Sequence, residues 1–270
     1  MFTCIEILEQ DQRVIKRVVE KFFPPAPVRE YVQLKGATPF LRLRVRENNV
    51  DWSQISSMLS GDERVILKDV SVCIPENVLL EEYVPAALGM KIMFRTLYRV
   101  LEKVNMPQKI NLTVFDRDGY IAESLEKIVP YVRNLYVYTE KISEYFFSAS
   151  EIMDEYGASV KINEYETAQE QEGIVIADEY VPAVKKADFV FVADKSVVSY
   201  NTVTGNGIFL EDEYRILKGE SIDDFCFASA LYEKNGAAFF AERDFLSLFH
   251  ANKKISACLL AEKIRQSVMK

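Results

Sequence analysis

The stretch Val114-Phe115-Asp116-Arg117-Asp118-Gly119-Tyr120 sets two carboxylates around an arginine, where an apolar strand pattern passes into a helical one. Carboxylates so spaced can attack an electrophile, move a proton or hold a divalent cation. Thr139 and Glu140 close a second strand pattern, Leu135 to Tyr138, and fall near the same level of any sheet that pairs the two strands. The sequence holds one histidine, so chemistry that pairs an imidazole with a nucleophile or builds a His-rich metal site would rest on His250 alone. His250 has neither Cys nor acid beside it and reads as structural. Cys4, Cys73, Cys226 and Cys258 form no Cys-x-x-Cys pair and read as buried free thiols in a reducing cytoplasm. Arg42, Arg44 and Arg46 alternate with Leu41, Leu43 and Val45, which puts three guanidinium groups on one face of a strand; that face reads as solvated.

These residues need elements to hold them. The segment Glu9 to Phe23 has a helical pattern stopped by Pro24-Pro25-Ala26-Pro27, Asp51 opens a short helix through Ser60, Arg64 to Lys68 reads as a strand, and Ala86 to Val104 is amphipathic. Past Asn105-Met106-Pro107 the rhythm becomes strand (Ile110 to Phe115), helix (Gly119 to Arg133), strand (Leu135 to Tyr138), helix (Ile142 to Tyr156), then strands at Ala158 to Ile162, Gly173 to Ala177 and Phe189 to Ala193. The stripe Tyr145, Phe146, Ala149, Ile152, Met153, Tyr156 reads as the core face of the second helix, with Gly157 closing it. Runs such as Ile-Val-Ile and Val-Phe-Val are apolar on both faces and belong to a parallel sheet covered on both sides. Thr204-Gly205-Asn206-Gly207 reads as a hairpin turn between Val197–Tyr200 and Ile208–Leu210. Ser221 to Asp224 reads as a capping box before a helix to Glu233, and a last helix runs from about Lys254 to Val268 and is expected to pack back on the first domain. The expected architecture is therefore α/β: residues 1–105 as a smaller α/β domain, and 106–270 as a doubly wound, Rossmann-like domain with C-terminal helices.

The β-α-β-α-β rhythm following an α/β domain resembles two-domain dehydrogenases such as the shikimate dehydrogenase group. That resemblance implies a nucleotide edge at Asp116, Asp118, Gly119, Thr139 and Glu140, with Glu140, 21 residues after Gly119, as the acid for ribose hydroxyls. The first turn offers only Gly119 of the three glycines of a dinucleotide fingerprint, so the fold carries over and the activity does not. Asp116-Arg117-Asp118-Gly119 also looks like the Asp-x-Asp-Gly motif of haloacid-dehalogenase-type phosphatases. That would imply Asp116 as nucleophile, Asp118 as general acid, Thr139 on the phosphate, Lys161 or Lys185 as its lysine, Asp178 or Asp194 as a later acid, and Mg²⁺.

Charge narrows the partners. Residues 1–105 carry 15 Lys+Arg against 14 Asp+Glu, whereas 106–270 carry 18 against 27, within a chain of formal net charge −8. The larger part would repel a phosphate backbone, so no nucleic acid is expected. The acids of Asn163 to Tyr180 read as a solvated loop. No apolar run reaches membrane-span length and the first residues carry acids where a signal peptide carries cations, so a soluble, cytoplasmic protein is expected. The expected function is binding of a small molecule or protein partner at the carboxyl edge, with no cofactor identified; an NAD(P)-linked oxidoreductase with a non-standard phosphate loop comes second, and the Mg²⁺-dependent phosphatase third.

Overall fold

The computed structural model describes residues 1–8, 26–33, 39–46, 50–68, 72–179, 181–193 and 199–269. The expected helix at Glu9 to Phe23, residue Asp194 and the first half of the expected Val197–Tyr200 strand lie outside the described residues, and its second half, Ser199 and Tyr200, is not strand. The chain forms two compact units, Met1–Pro85 with Leu210–Phe240, and Ala86–Phe209 with Ala241–Lys270. Helix Ala87–Val104 thus groups with the larger sheet and Leu210–Phe240 with the first unit, a different partition from one cut at residue 105.

The first unit holds a five-stranded sheet of β1 (Thr3–Leu8), β2 (Val28–Val32), β3 (Phe40–Arg46), β4 (Val65–Leu67) and β5 (Glu81–Glu82), in the order β2-β3-β1-β4-β5. Strand β1 is parallel to both β3 and β4, and β2 runs antiparallel to β3. Alternation along β1 and β3 sends Ile5, Leu41, Leu43 and Val45 to one face, where they meet Ile55 and Leu59 of and beyond helix α1 (Trp52–Met58). Asp51 caps that helix by accepting from the Gln54 amide at 3.0 Å.

The other face carries Phe2, Phe40, Glu6, Arg42 and Arg44, and it is not simply solvated. Phe2 and Phe40 stack at 5.3 Å and both meet the edge of Phe227 from a later helix. Arg42 pairs with Glu6 at 2.8 Å, and Arg44 reaches Glu6 at 3.1 Å and Glu30 at 3.4 Å. The arginines are thereby neutralised by neighbouring strands; of Arg46 only the backbone place in β3 is described. Cys4 is fully buried and burial pushes its thiol up, whereas Cys73 and Cys258 are exposed and Cys226 half-buried, so one of the four cysteines is the buried thiol expected of all.

The second unit is built on helix α2 (Ala87–Val104) and an eight-stranded sheet: β6 (Asn111–Phe115), β7 (Asn134–Thr139), β8 (Val160–Glu164), β9 (Ile174–Ala177), β10 (Phe189–Val192), β11 (Thr202–Asn206), β12 (Ser247–His250) and β13 (Lys253–Ile255). Their order is β13-β12-β11-β10-β9-β6-β7-β8, with β8 through β11 all parallel and β12 and β13 added antiparallel. Read from the first strand outward, the parallel part has the doubly wound order 3-2-1-4-5-6. Helix α3 (Ile142–Tyr156) crosses from β7 to β8 and ends at Gly157, which is left-handed at φ 62°.

Three expected elements take other forms. The crossover from β6 to β7 is not an α-helix over 119–133 but a ten-residue 3-10 helix, Ala122–Tyr131. Pro130 would clash with the Glu126 carbonyl in α geometry, and ten residues at about 2 Å each still span a strand's length. Its inner side buries Ala122, Leu125 and Ile128. Among the described residues the opposite face of the sheet is covered by single 3-10 turns in place of longer helices: Phe115, Val175, Ala177, Val190 and Val192 pack with Tyr165, Val184 and Ala187. Finally, Thr204–Asn206 is strand, parallel to β10 and antiparallel to β12, because Gly205 admits the Phe245 ring, which a Cβ there would strike at 2.1 Å.

Two helices of the first unit follow, α4 (Asp212–Lys218) and α5 (Asp224–Asn235). The latter is capped by Asp223 alone, which accepts from the Cys226 amide at 3.0 Å, so a simple N-cap two residues further on takes the place of the capping box expected at Ser221. Helix α6 (Ala257–Val268), capped by Ser256, packs on α2, and Lys253–Ile255 before it are strand.

Candidate functional site

The order of the sheet creates one place where neighbouring strands β6 and β9 send their following loops apart, and in open α/β sheets that place is the ligand crevice. Its walls are the residues just past β6, β7 and β9. Asp116 is fully buried. Its amide bonds to the Tyr138 carbonyl at 3.1 Å, while its carboxylate accepts from the amides of Tyr120 (3.0 Å) and Ile121 (2.9 Å) and from the Tyr145 hydroxyl (2.6 Å). Burial raises its pKa and the three donors lower it, with burial the larger effect. Asp116 is thus the anchor of the 116–121 turn.

Arg117 lies across the crevice. Its amide donates to Asp178 at 2.9 Å, its carbonyl accepts from Glu140 and Thr139, and its guanidinium reaches Glu179 at 2.8 Å and Glu140 at 3.4 Å. The guanidinium carbon stands 4.5 Å over the Tyr165 ring, whose hydroxyl donates to Asp178 at 3.3 Å. Asp178 is raised in pKa, mainly by burial. Three carboxylates, Glu140, Asp178 and Glu179, and one guanidinium therefore share the rim.

The remaining expected residues stand as follows. Thr139 is buried and bridges the Arg117 carbonyl and the Lys141 amide (2.9 Å). Asp118 is exposed and accepts from the Tyr120 hydroxyl at 3.0 Å, while the amides of the turn are held by Asp116. Gly119 has φ +78°, and a Cβ on it would lie 2.5 Å from the Glu144 carboxylate. Beside it a cleft of about 500 Å³ opens between the 119–123 turn and α3, with Glu123, Glu144 and Glu151 along it. A phosphatase dyad would have to turn both carboxylates onto one cation; here Asp116 is committed to backbone amides, Lys161 lies over the Tyr136 ring, and the phosphatase resemblance finds no support. His250 leans on the Phe189 ring, and burial with Lys263 nearby lowers its pKa.

Sequence reading missed Tyr145 and Tyr165 as site residues and placed Glu179 in a solvated loop. The signal for Glu179 was its position just after an apolar strand, which the adjacency of β6 and β9 turns into a crevice position.

The fold and the crevice together define a doubly wound, Rossmann-like α/β unit accompanied by a smaller α/β unit. No protein family matches the chain, and no curated protein does. Among solved structures, the L-tryptophan dehydrogenase from Nostoc punctiforme aligns at 13% identity with a TM-score of 0.29, over 98% of this chain and 78% of that one. No helix among the described residues is long and apolar enough to cross a membrane.

Proposed function

We propose that this chain is a binding protein which receives a small ligand or protein partner at the carboxyl edge of the large sheet and performs no covalent chemistry there. The observation behind this reading is Arg117: the chain's own guanidinium, held between Glu140 and Glu179 over Tyr165, fills the crevice where a dinucleotide fold meets its ligand. Carboxylates facing an aromatic ring suit a cationic group, whereas a pyrophosphate would meet Asp118, Glu140 and Glu179. A cytoplasmic setting belongs to the same proposal, supported by four cysteines without a disulfide.

A second reading, an NAD(P)-linked oxidoreductase with a non-standard phosphate loop, is favoured by the strand order and by Glu140 at the tip of β7. Calorimetry separates the two. We expect no micromolar affinity for NAD or NADP, and we expect methylguanidinium to raise the melting temperature of Arg117→Ala but not of the unchanged chain. Micromolar NAD binding that disappears in Glu140→Ala would establish the oxidoreductase instead.

A further inference from the structure

The C-terminal stretch is basic within an acidic chain. Residues 245–269 hold Lys253, Lys254, Lys263 and Arg265 against Glu262, although the whole chain has a formal net charge of −8. Several cations of the same unit are matched: Arg95 and Arg99 share Asp244, Arg117 meets Glu140 and Glu179, and Lys186 meets Glu170. Among the described residues, Lys253, Lys254 and Lys263 meet no carboxylate.

The fold gathers two of these lysines with the histidine on one side of the β12–β13 hairpin. Ala251 and Asn252, left-handed at φ 48° and 63°, make the two-residue turn that sets His250 opposite Lys253. Paired residues share a face, and Lys263 of α6 marks which one, its ammonium 3.4 Å from His250 Nδ1. Lys254 alternates to the other face. A neutral His250 that accepts there carries its hydrogen on Nε2, so three side chains offer donors on this flank. Leu259, one turn before Lys263, is 48% exposed. The acids of adjoining segments lie elsewhere. Glu262 falls about 100° around α6 from Lys263, toward Arg265, whose guanidinium holds the Lys103 and Val104 carbonyls. Glu242 and Asp244 precede the opposite end of β12, and Asp188 precedes β10, two strands away.

Lysines on an edge strand ordinarily block strand addition. That accounts for Lys253 and Lys254 on β13, the terminal strand, but not for Lys263, which comes from a helix and is aimed at an imidazole instead of an acid. We infer that this flank of α6 and β13 docks an acidic segment of a partner protein, with carboxylates on Lys253, Lys263 and His250 and an apolar side chain on Leu259. Charge selects that class of partner. A short acidic segment feels the local excess of cations within a Debye length of about 8–10 Å. A long phosphate backbone or an anionic bilayer would also face the acids that dominate the rest of the chain, and a phosphate backbone has no use for Leu259. Because His250 pairs with Val203 near the start of β11, the surface lies at the amino end of the sheet, and its occupant does not compete for the carboxyl-edge crevice.

Fluorescence anisotropy on the full chain tests this, with a labelled short peptide of glutamates and two leucines as the probe. We expect a dissociation constant of about 10–50 μM in about 50 mM salt, weakened at least about tenfold in about 300 mM salt. Lys253→Glu/Lys263→Glu should abolish binding with an unchanged melting temperature, and Lys127→Glu, on the 122–131 crossover, should leave it within about twofold. If the double variant melts early, Lys253→Gln/Lys263→Gln gives the same readout at a loss of about tenfold. A wild-type chain that ignores the peptide up to about 1 mM, or a folded double variant that binds it at wild-type strength, would overturn the surface. Tighter binding to vesicles of about one-third anionic lipid, or to a short single-stranded oligonucleotide, lost in the same double variant, would replace the protein partner by a membrane or a nucleic acid.

Discussion

Tyr145 donates its hydroxyl to the Asp116 carboxylate at 2.6 Å, joining the second crossover of the large sheet to the turn that ends its first strand. Both groups are buried, so the pair fixes where the crevice loop lies before any ligand arrives.

Removing Asp116 leaves two amides and a phenol without an acceptor. Asp116→Ala should cost about 3 kcal/mol in urea unfolding, and Asp118→Ala, which loses one exposed contact, less than about 0.5 kcal/mol. Equal costs for the two would contradict the anchoring role of Asp116.

Asp116 and Asp178 both have raised pKa values in the folded chain, mainly through burial. The folded state therefore binds more protons than the unfolded chain above the ordinary Asp value near 3.8. Their contribution to stability is full below that value and is lost as pH rises through the folded values. Asp178→Asn should flatten this part of the stability profile in the window that opens at about pH 4. A variant profile parallel to wild type across that window would refute it.

The sequence carried most of the large sheet: Ile174–Ala177 and Phe189–Val192 are apolar on both faces, and only an interior parallel strand buries both. It could not distinguish covered from uncovered apolar faces. Phe146 and Met153 share the helical stripe of Tyr145 and Ile152, yet periodicity reports only which side is apolar, not what packs on it. Likewise the alternation of Arg42 and Arg44 gave the right strand face and the wrong surroundings, since Glu6 and Glu30 come from other strands. The positions of Asp116, Thr139 and Glu140 at the ends of β6 and β7 were legible because strand tips show in one sequence. Tyr165 and Glu179 depend on which strands become neighbours, and a long-range pairing leaves no local signal.

Gly119 and Gly157 both have positive φ, but only the first is crowded. Gly157→Ala should cost about 1 kcal/mol, the conformational penalty alone. Gly119→Ala should cost about 1 kcal/mol more, because its Cβ would also meet Glu144 and Lys141. Adding Glu144→Ala should recover part of that excess; strict additivity in this double-mutant cycle would show that Glu144 is not the obstacle.

Glu6 neutralises Arg42, whose side chain is only 12% exposed. Glu6→Ala should destabilise the chain by about 2–3 kcal/mol, and Glu30→Ala, at a half-exposed pair, by less than about 1 kcal/mol. Thermal unfolding that ranks the two in the other order would count against the buried pair.

Because Phe227 and Gly219 lie far along the chain from Phe2, Phe40 and Glu6, which they meet, the first unit is completed by residues made last but for the C-terminal stretch. A ribosome delivers the chain in one direction, so the first sheet must wait with its aromatic pair bare while every parallel strand of the second unit is synthesised. The usual order, in which an N-terminal unit folds before its successor appears, is thereby closed to this protein. A nascent chain stopped after Phe209 would expose the Phe2–Phe40 stack to whatever binds unfinished proteins, and one extended beyond Phe240 would hide it.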